Sequence, residues 1–207
     1  MTLLDWIAAG VVVGSMLYLT FALTIPQWIR LLRRGEGVAL WPQRGDREVE
    51  WWKQLVMILV GIGLGIVLFR YLWIPFAQIP EPGLTRLRIA GLVLYAGGFA
   101  FMMWARKTLG RNWGISTSMK AKLQADHELV RHGPYAMVRH PMYFGALVLS
   151  VGAVLVYPMW VILLLAVSMM FSLTMRARRE EEVLAARFGT AWDEYKRQTK
   201  FIIPYIF

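Results

Sequence analysis

Long apolar segments alternate with short basic loops along the first half of the chain. Residues 6–29 contain no charged residue, and residues 54–76 contain one, Arg70. A third apolar segment, residues 89–105, has an arginine on either side. Because about 20 apolar residues are needed to cross a bilayer as a helix, each of these three segments is predicted to span a membrane.

Residues 141–175 form a charge-free segment that is too long for a single span. Pro158 lies near its middle, and proline interrupts a helix because it has no amide hydrogen to donate. The pattern therefore predicts a helical hairpin that turns at residues 156–160. With this hairpin the predicted number of spans is five.

Lysine and arginine are concentrated in three loops, residues 30–53, 106–122 and 176–200. The loop around residues 80–83 and the predicted hairpin tip at Tyr157 contain few of them. The positive-inside rule therefore predicts that the amino terminus lies outside and that the basic loops and the carboxyl terminus are cytoplasmic.

An amphipathic helix is predicted after the last span. Leu184, Phe188, Trp192 and Tyr195 recur at helical spacing among charged residues, and Gly189 is a candidate interruption. The predicted fold is an all-α membrane helical bundle with about five spans and this cytoplasmic helix. Residues 1–106 are predicted to contain three spans, and residues 107–207 to form one unit with the hairpin and the amphipathic helix.

Composition supports this fold and narrows the chemistry. Hydrophobic residues make up 57% of the 207 residues, and the mean hydropathy is +0.48. The chain contains no cysteine, which excludes disulfides, thiolate zinc sites and thiol nucleophiles. The formal net charge is +10, but the basic residues lie beside apolar segments, so membrane lipid headgroups are expected as partners rather than nucleic acid.

All three histidines, His127, His132 and His140, lie in one short polar stretch before the hairpin, and Arg139 lies beside the last of them. Arginine and histidine at the end of a span commonly mark the headgroup boundary. Rigid loops of cationic and aromatic residues also bind small molecules. Composition leaves both interpretations open. No metal is expected, because the histidine spacing lacks the i, i+4 pairing of a helical zinc motif.

Two blocks of sequence resemble the isoprenylcysteine carboxyl methyltransferase family. The first is "HELVRHGPYAMVRHPMYFG", residues 127–145, and the second is the Glu180–Glu182 run with "FGTAWDEYKRQTKFIIP". The resemblance implies a membrane-embedded methyltransferase that uses S-adenosylmethionine. It also implies that the cofactor occupies a cytoplasmic pocket closed by the last helix.

The same resemblance implies site residues. Arg176 matches a substrate-side arginine, and Glu180 matches a glutamate at the cofactor, so these two are the candidate catalytic residues. The candidate cofactor-binding residues lie in the loop before the hairpin and in the Glu run: Lys120, His127, Glu128, Leu129, Val130, Gly133, Tyr135, Arg139, His140, Pro141, Met142, Tyr143, Glu180 and Glu181. A glutamate can accept hydrogen bonds from ribose hydroxyls or attract the sulfonium, and aromatic rings can face it through cation–π attraction.

The acceptor is expected to be lipophilic, and most simply the carboxylate of a prenylcysteine or of a similar isoprenoid or lipid. The alternatives are an N-methyltransferase for a lipid amine, a nicotinamide-dependent membrane sterol reductase, and a non-catalytic membrane scaffold. The compact, cysteine-free chain favours a bacterial or archaeal inner membrane; in a eukaryote the endoplasmic reticulum is expected.

Overall fold

The structure is a computed structural model that describes residues 3–25, 29, 59–60, 63, 74–112 and 128–204. Within these ranges the protein is helical and forms no β-sheet. The helices are α1 (Leu3–Leu17), α2 (Gly83–Leu109), α3 (Pro141–Val156), α4 (Trp160–Phe188) and α5 (Thr190–Gln198). A π-helical segment, Tyr18–Thr24, continues α1, and short 3₁₀ turns lie at Gly110–Asn112 and Gly133–Ala136.

Two of the described helices, α2 and α4, are long and apolar enough to cross a membrane. Residues 6–15 of α1 and the whole of α3 are shorter apolar helices. The predicted all-helical architecture is confirmed for the described residues, its two long apolar helices fit a membrane protein, and the hairpin turns between Val156 and Trp160, as predicted. The number of five spans stays a prediction, because most of the second apolar segment lies outside the described residues.

Helices α2 and α3 pack along a seam of glycines. A Cβ atom on Gly98 of α2 would lie 2.5 Å from the amide nitrogen of Leu149, and one on Gly152 of α3 would lie 2.5 Å from that of Tyr95. A Cβ atom on Gly91 or Gly145 would lie 2.8 or 2.9 Å from the backbone of the opposite helix. Glycine thus allows the two backbones to approach closely, as in many membrane helix pairs.

The segment at residues 74–76 lies beside the turn of the hairpin. Phe76 N donates to the carbonyl of Pro158 at 3.0 Å, and Trp160 N donates to the carbonyl of Ile74 at 3.1 Å. The rings of Phe76 and Trp160 meet edge to face. These contacts satisfy backbone groups that the proline leaves without helical partners.

Helix α4 continues beyond its apolar part, residues 160–175, into a charged part at residues 176–188. Gly189, with φ of 51°, then separates α4 from α5. Helix α5 buries Trp192 and Tyr195.

After α5, residues 199–202, here called the C-terminal strap, lie beside residues 137–140, with a parallel bridge between Val138 and Lys200. Arg139 N donates to Lys200 O at 2.8 Å, His140 N to Phe201 O at 3.2 Å, and Lys200 N to Met137 O at 3.3 Å. The strap therefore lies directly against the loop that precedes α3.

Candidate active site

Three segments meet at the first turn of α3: the loop at residues 133–140, the charged part of α4, and the C-terminal strap. The loop begins at Gly133, whose φ of 60° strains any residue with a side chain and whose Cβ position faces Thr108 of α2. Pro134 is the second residue of the 3₁₀ turn, and Tyr135 is buried. The carbonyl of Tyr135 accepts a hydrogen bond from the hydroxyl of Tyr195 at 2.8 Å, which joins the loop to α5.

His140 lies at the centre of this arrangement and is buried. Its ring stacks on Tyr143 with centroids 5.4 Å apart, and the ring of Phe201 packs against it edge to face at 5.2 Å. Nδ1 of His140 is 3.7 Å from Glu180, and Nε2 is 3.4 Å from Glu181 without hydrogen-bond geometry. Among the described residues Nε2 therefore has no partner with hydrogen-bond geometry, although it is buried beside the Glu181 carboxylate.

Glu180 is held by two donors on one carboxylate oxygen. The hydroxyl of Tyr143 donates to Oε1 at 2.7 Å, and Nε of Arg176 donates to the same atom at 3.0 Å. Arg176 precedes Glu180 by one helical turn, so α4 itself sets the spacing of this pair. The pair fixes the direction in which the carboxylate points.

Glu181, the next residue of α4, faces a second cluster of cations. Nε of Arg139 lies 2.6 Å from its Oε1, and Nζ of Lys196 lies 3.9 Å from its Oε2. Burial alone would raise the pKa of the Glu181 carboxyl, but His140 and Arg139 outweigh it and lower this pKa below its usual range. Glu181 is therefore ionised at neutral pH.

The two buried tyrosines of this region are neutral at physiological pH. Burial raises the pKa of the Tyr135 hydroxyl, and the neighbouring Tyr195 and Glu180 raise it further. Burial also raises the pKa of Tyr195, against the opposing influence of Arg139 and Arg131. Both side chains therefore serve as apolar surface and hydrogen-bonding groups, not as charged ones.

Most of the site residues expected from the sequence lie together. Gly133, Tyr135, Arg139, His140, Pro141, Met142, Tyr143, Arg176, Glu180 and Glu181 all belong to the loop, the first turn of α3 and the charged part of α4. Glu128 is exposed, and its amide donates to Oδ1 of Asn112 at 3.1 Å. Leu129 and Val130 are half-buried next to it. Lys120 and His127 lie outside the described residues.

Three residues at this site are absent from the sequence-based set. Phe201 packs on His140, the carbonyl of Thr199 accepts a hydrogen bond from Arg139, and Lys196 lies near Glu181. All three fall within the second block of the family resemblance, so the signal was present in the tail. Their contacts depend on how the strap folds back, which helical periodicity does not indicate.

Metal ligation has no support in this part of the protein. No group of three or more histidine, aspartate or glutamate side chains in the described ranges is arranged to hold a metal ion. The cluster instead combines two carboxylates, cations and aromatic rings around one unpartnered imidazole nitrogen. Such a cluster can bind a ligand that presents both acceptor and donor or cationic groups.

Comparison with known proteins assigns the chain to a family. A family model described as phospholipid methyltransferase matches residues 87–191, which is just over half of the chain. A protein-S-isoprenylcysteine O-methyltransferase of Tribolium castaneum is 32% identical over 60% of this chain and 45% of its own length. A Delta(14)-sterol reductase of Mus musculus is 26% identical over 85% of this chain and 49% of its own length. The chain thus spans about half the length of these curated relatives.

A solved structure shares the fold. It is that of the eukaryotic intramembrane Ras methyltransferase ICMT, with a TM-score of 0.54 and 23% identity over 78% of this chain and 55% of that one. The matched residues 87–191 contain most of α2, the loop at residues 133–140, the hairpin and the Glu180–Glu181 pair. The chain belongs to the phospholipid methyltransferase family, and its resemblance to the isoprenylcysteine carboxyl methyltransferases is confirmed.

Proposed function

We propose that this protein is a membrane-embedded methyltransferase that transfers the methyl group of S-adenosylmethionine to the carboxylate of a lipophilic acceptor, a prenylcysteine or a related isoprenoid or lipid. Membership of a methyltransferase family supports the reaction class. The observation that carries the proposal is the cluster at the base of the hairpin, where two carboxylates and an unpartnered imidazole nitrogen lie at the end of an apolar helix pair.

The residues present fit this cofactor. S-adenosylmethionine carries a ribose diol, a carboxylate and a sulfonium, and it supplies an electrophilic methyl group when bound. The side-chain oxygens of Glu180 and Glu181 can accept hydrogen bonds from hydroxyl groups, and the ionised Glu181 attracts a cation. Nε2 of His140 has no hydrogen-bond partner in the part of the chain that the structure describes and can donate to an acceptor of the cofactor, and Tyr143 adds an aromatic face.

The catalytic contribution of the chain is positioning. Methyl transfer needs two reactants aligned and in contact, and such alignment can supply ~7–11 kcal/mol of the barrier. A carboxylate acceptor is already ionised at neutral pH, so no general base is required. Arg176, whose side chain is 37% exposed, can hold the acceptor carboxylate while its Nε remains on Glu180.

The surface next to Arg176 suits a lipophilic acceptor. Phe171 is 69% exposed, and Met170 and Met175 on the preceding turns of α4 are exposed as well. The apolar part of α4 directly precedes Arg176, so a lipid tail can pack against this helix while its head reaches the guanidinium. An acceptor approaching through the membrane would follow this path.

The proposed topology has the amino terminus outside and the charged end of α4 in the cytoplasm, the side that a soluble cofactor reaches. Because the chain lacks cysteine, a single cysteine introduced at the exposed Lys196 or near residue 80 has an unambiguous labelling pattern. In inside-out vesicles a membrane-impermeant maleimide should label the first and spare the second. The reverse pattern would contradict the topology.

The reaction is tested with matched acceptors. Purified protein with S-adenosylmethionine should methylate a farnesylated cysteine derivative with a free carboxylate and leave the corresponding amide unmodified, since the amide has no ionised oxygen. A lipid amine is the third acceptor. Its methylation in preference to the carboxylate would replace the proposed reaction with N-methylation, which needs a base to remove a proton.

The likeness to a sterol reductase makes nicotinamide-dependent reduction the second candidate function. Calorimetric titration with S-adenosylmethionine and with the reduced nicotinamide cofactor separates the two. Binding of S-adenosylmethionine alone is the expected result. Binding of the nicotinamide cofactor alone would support the reductase, and binding of neither would favour a scaffold.

A further inference from the structure

Arg139 makes its contacts with the protein itself. Its side chain is only 8% exposed, and Nε lies 2.6 Å from Oε1 of Glu181. Nη1 donates to the carbonyl of Lys196 at 3.2 Å and to that of Thr199 at 2.5 Å. These two carbonyls end α5 and have no following helical turn to satisfy them, so a cation is stabilising there.

The residues that Arg139 joins are far apart in sequence but adjacent at the site. Glu181 belongs to α4, and Thr199 begins the C-terminal strap. The strap places Phe201 against the imidazole of His140. The guanidinium of Arg139 lies 5.8 Å from the centre of the Phe201 ring. One side chain therefore connects the carboxylate cluster, the end of α5 and the aromatic residue that covers His140.

We propose that Arg139 is a positioning residue, which fastens the C-terminal strap to Glu181 so that Phe201 closes one side of the methyl-donor site, and that it is not a direct ligand of the donor. The three contacts use the geometry of a guanidinium, whose fork lets one group bind a carboxylate and two carbonyls together. This proposal rests on the proposed function in one respect, that the ligand of the site is the methyl donor S-adenosylmethionine.

Hydrogen exchange tests the fastening without any ligand. In Arg139→Gln the amides of Arg139, His140 and Lys200, which make the hydrogen bonds between the loop and the strap, should exchange about tenfold faster, because charged hydrogen bonds to the strap are lost. Amides in the interior of α3 should be unchanged. Unchanged exchange at Lys200 would overturn the proposal.

Arg131→Gln is the matched control. Arg131 also donates to a carbonyl of α5, that of Ala191, and pairs with Glu194, but it makes these contacts on the outer surface. Its loss should leave the strap amides protected. If both variants increased the exchange of the strap amides equally, any arginine contact to α5 would have the same effect. That result would overturn the specific role of Arg139.

A disulfide separates positioning from direct binding. Val138 and Lys200 pair across the loop and strap, and the ~4.8 Å between paired residues of neighbouring extended segments lies in the range that a disulfide bridges. The Val138→Cys, Lys200→Cys pair can form one disulfide only, because the chain has no other cysteine. Adding Arg139→Gln should weaken S-adenosylmethionine binding about tenfold in the reduced protein, and oxidation should restore it.

The outcomes are distinct. If oxidation leaves binding weak, Arg139 contacts the donor directly and the proposal is wrong. If the protein with Arg139 intact does not bind S-adenosylmethionine, the proposed function fails, whereas the exchange experiment still decides the role of Arg139. If Arg139→Gln does not fold, Arg139→Lys replaces it in both experiments, since lysine keeps the charge and loses the fork.

Discussion

Nε of Arg176 lies 3.0 Å from Oε1 of Glu180, one turn further along α4, and the hydroxyl of Tyr143 donates to the same oxygen. The two residues assigned by family resemblance to the acceptor and to the cofactor are therefore one ion pair. The cofactor side and the acceptor side of the proposed site meet at this carboxylate. A substitution of either residue changes the surroundings of the other.

Despite this contact, the two residues are expected to affect different steps. Glu180→Ala should weaken S-adenosylmethionine binding by about 10- to 100-fold, because a charged hydrogen-bond acceptor is lost. Arg176→Ala should lower kcat while the cofactor Kd changes only a few-fold. Calorimetry and steady-state kinetics measure the two effects. Glu182→Ala, next to the site but exposed, is the control, and an equal loss of cofactor affinity in the Glu180 and Arg176 variants would contradict the division of roles.

The hydroxyl of Tyr143 is expected to matter less than its ring. Tyr143→Phe removes the hydrogen bond to Glu180 and keeps the stacking on His140, so the cofactor Kd should rise only about fivefold, equivalent to about 1 kcal/mol. Tyr143→Ala, which also removes the ring, should raise the cofactor Kd clearly more. Tyr18→Phe, on the π-helical segment that continues α1, should leave the cofactor Kd unchanged. If the Phe and Ala variants bound equally weakly, the ring would have no separate role.

The glycine seam between α2 and α3 provides a stability test with adjacent residues. Gly98→Ala should destabilise the protein by about 1–3 kcal/mol, because its Cβ would lie 2.5 Å from the backbone of Leu149. Gly97→Ala, one residue earlier, meets no atom of the described residues within 4 Å and should be neutral or slightly stabilising in a helix. Thermal unfolding in detergent compares the two. Equal transition temperatures would show that the helices do not approach as described.

Alkaline pH should loosen the contact between α5 and the loop. The pKa of Tyr195 is raised above its ordinary value of 10.0 in the folded protein, so the neutral form is favoured there. Its contribution to stability is present below pH about 10 and is lost as the pH rises through the folded pKa. The fall in transition temperature between pH 8 and pH 11 should be shallower in Tyr195→Phe than in the unmodified protein.

At pH 8 the Tyr195→Phe variant should also lose about 1 kcal/mol of unfolding free energy, because the hydrogen bond to the Tyr135 carbonyl is gone. Identical slopes would exclude this role.

The pattern of apolar, charged and proline residues predicted the elements that depend only on neighbouring residues. The charges at Arg88 and Arg106 mark the apolar part of α2, and Pro158 marks the turn of the hairpin, because a bilayer admits apolar helices whose backbone groups bond internally. The family motifs similarly selected His140, Tyr143 and Glu180, which the structure brings together. Each of these predictions needed only neighbouring residues or an aligned motif.

The sequence by itself determined the apolar helices, the hairpin and the chemical types at its base. Only the tertiary structure decided that Arg139 pairs with Glu181, 42 residues further on, and that the C-terminal strap covers His140. These contacts join α3, α4 and the end of α5, and no periodicity in the chain records them. These contacts form because the chain changes direction at Gly189. The carbonyls at the end of α5 and the ring of Phe201 then lie next to the buried Arg139.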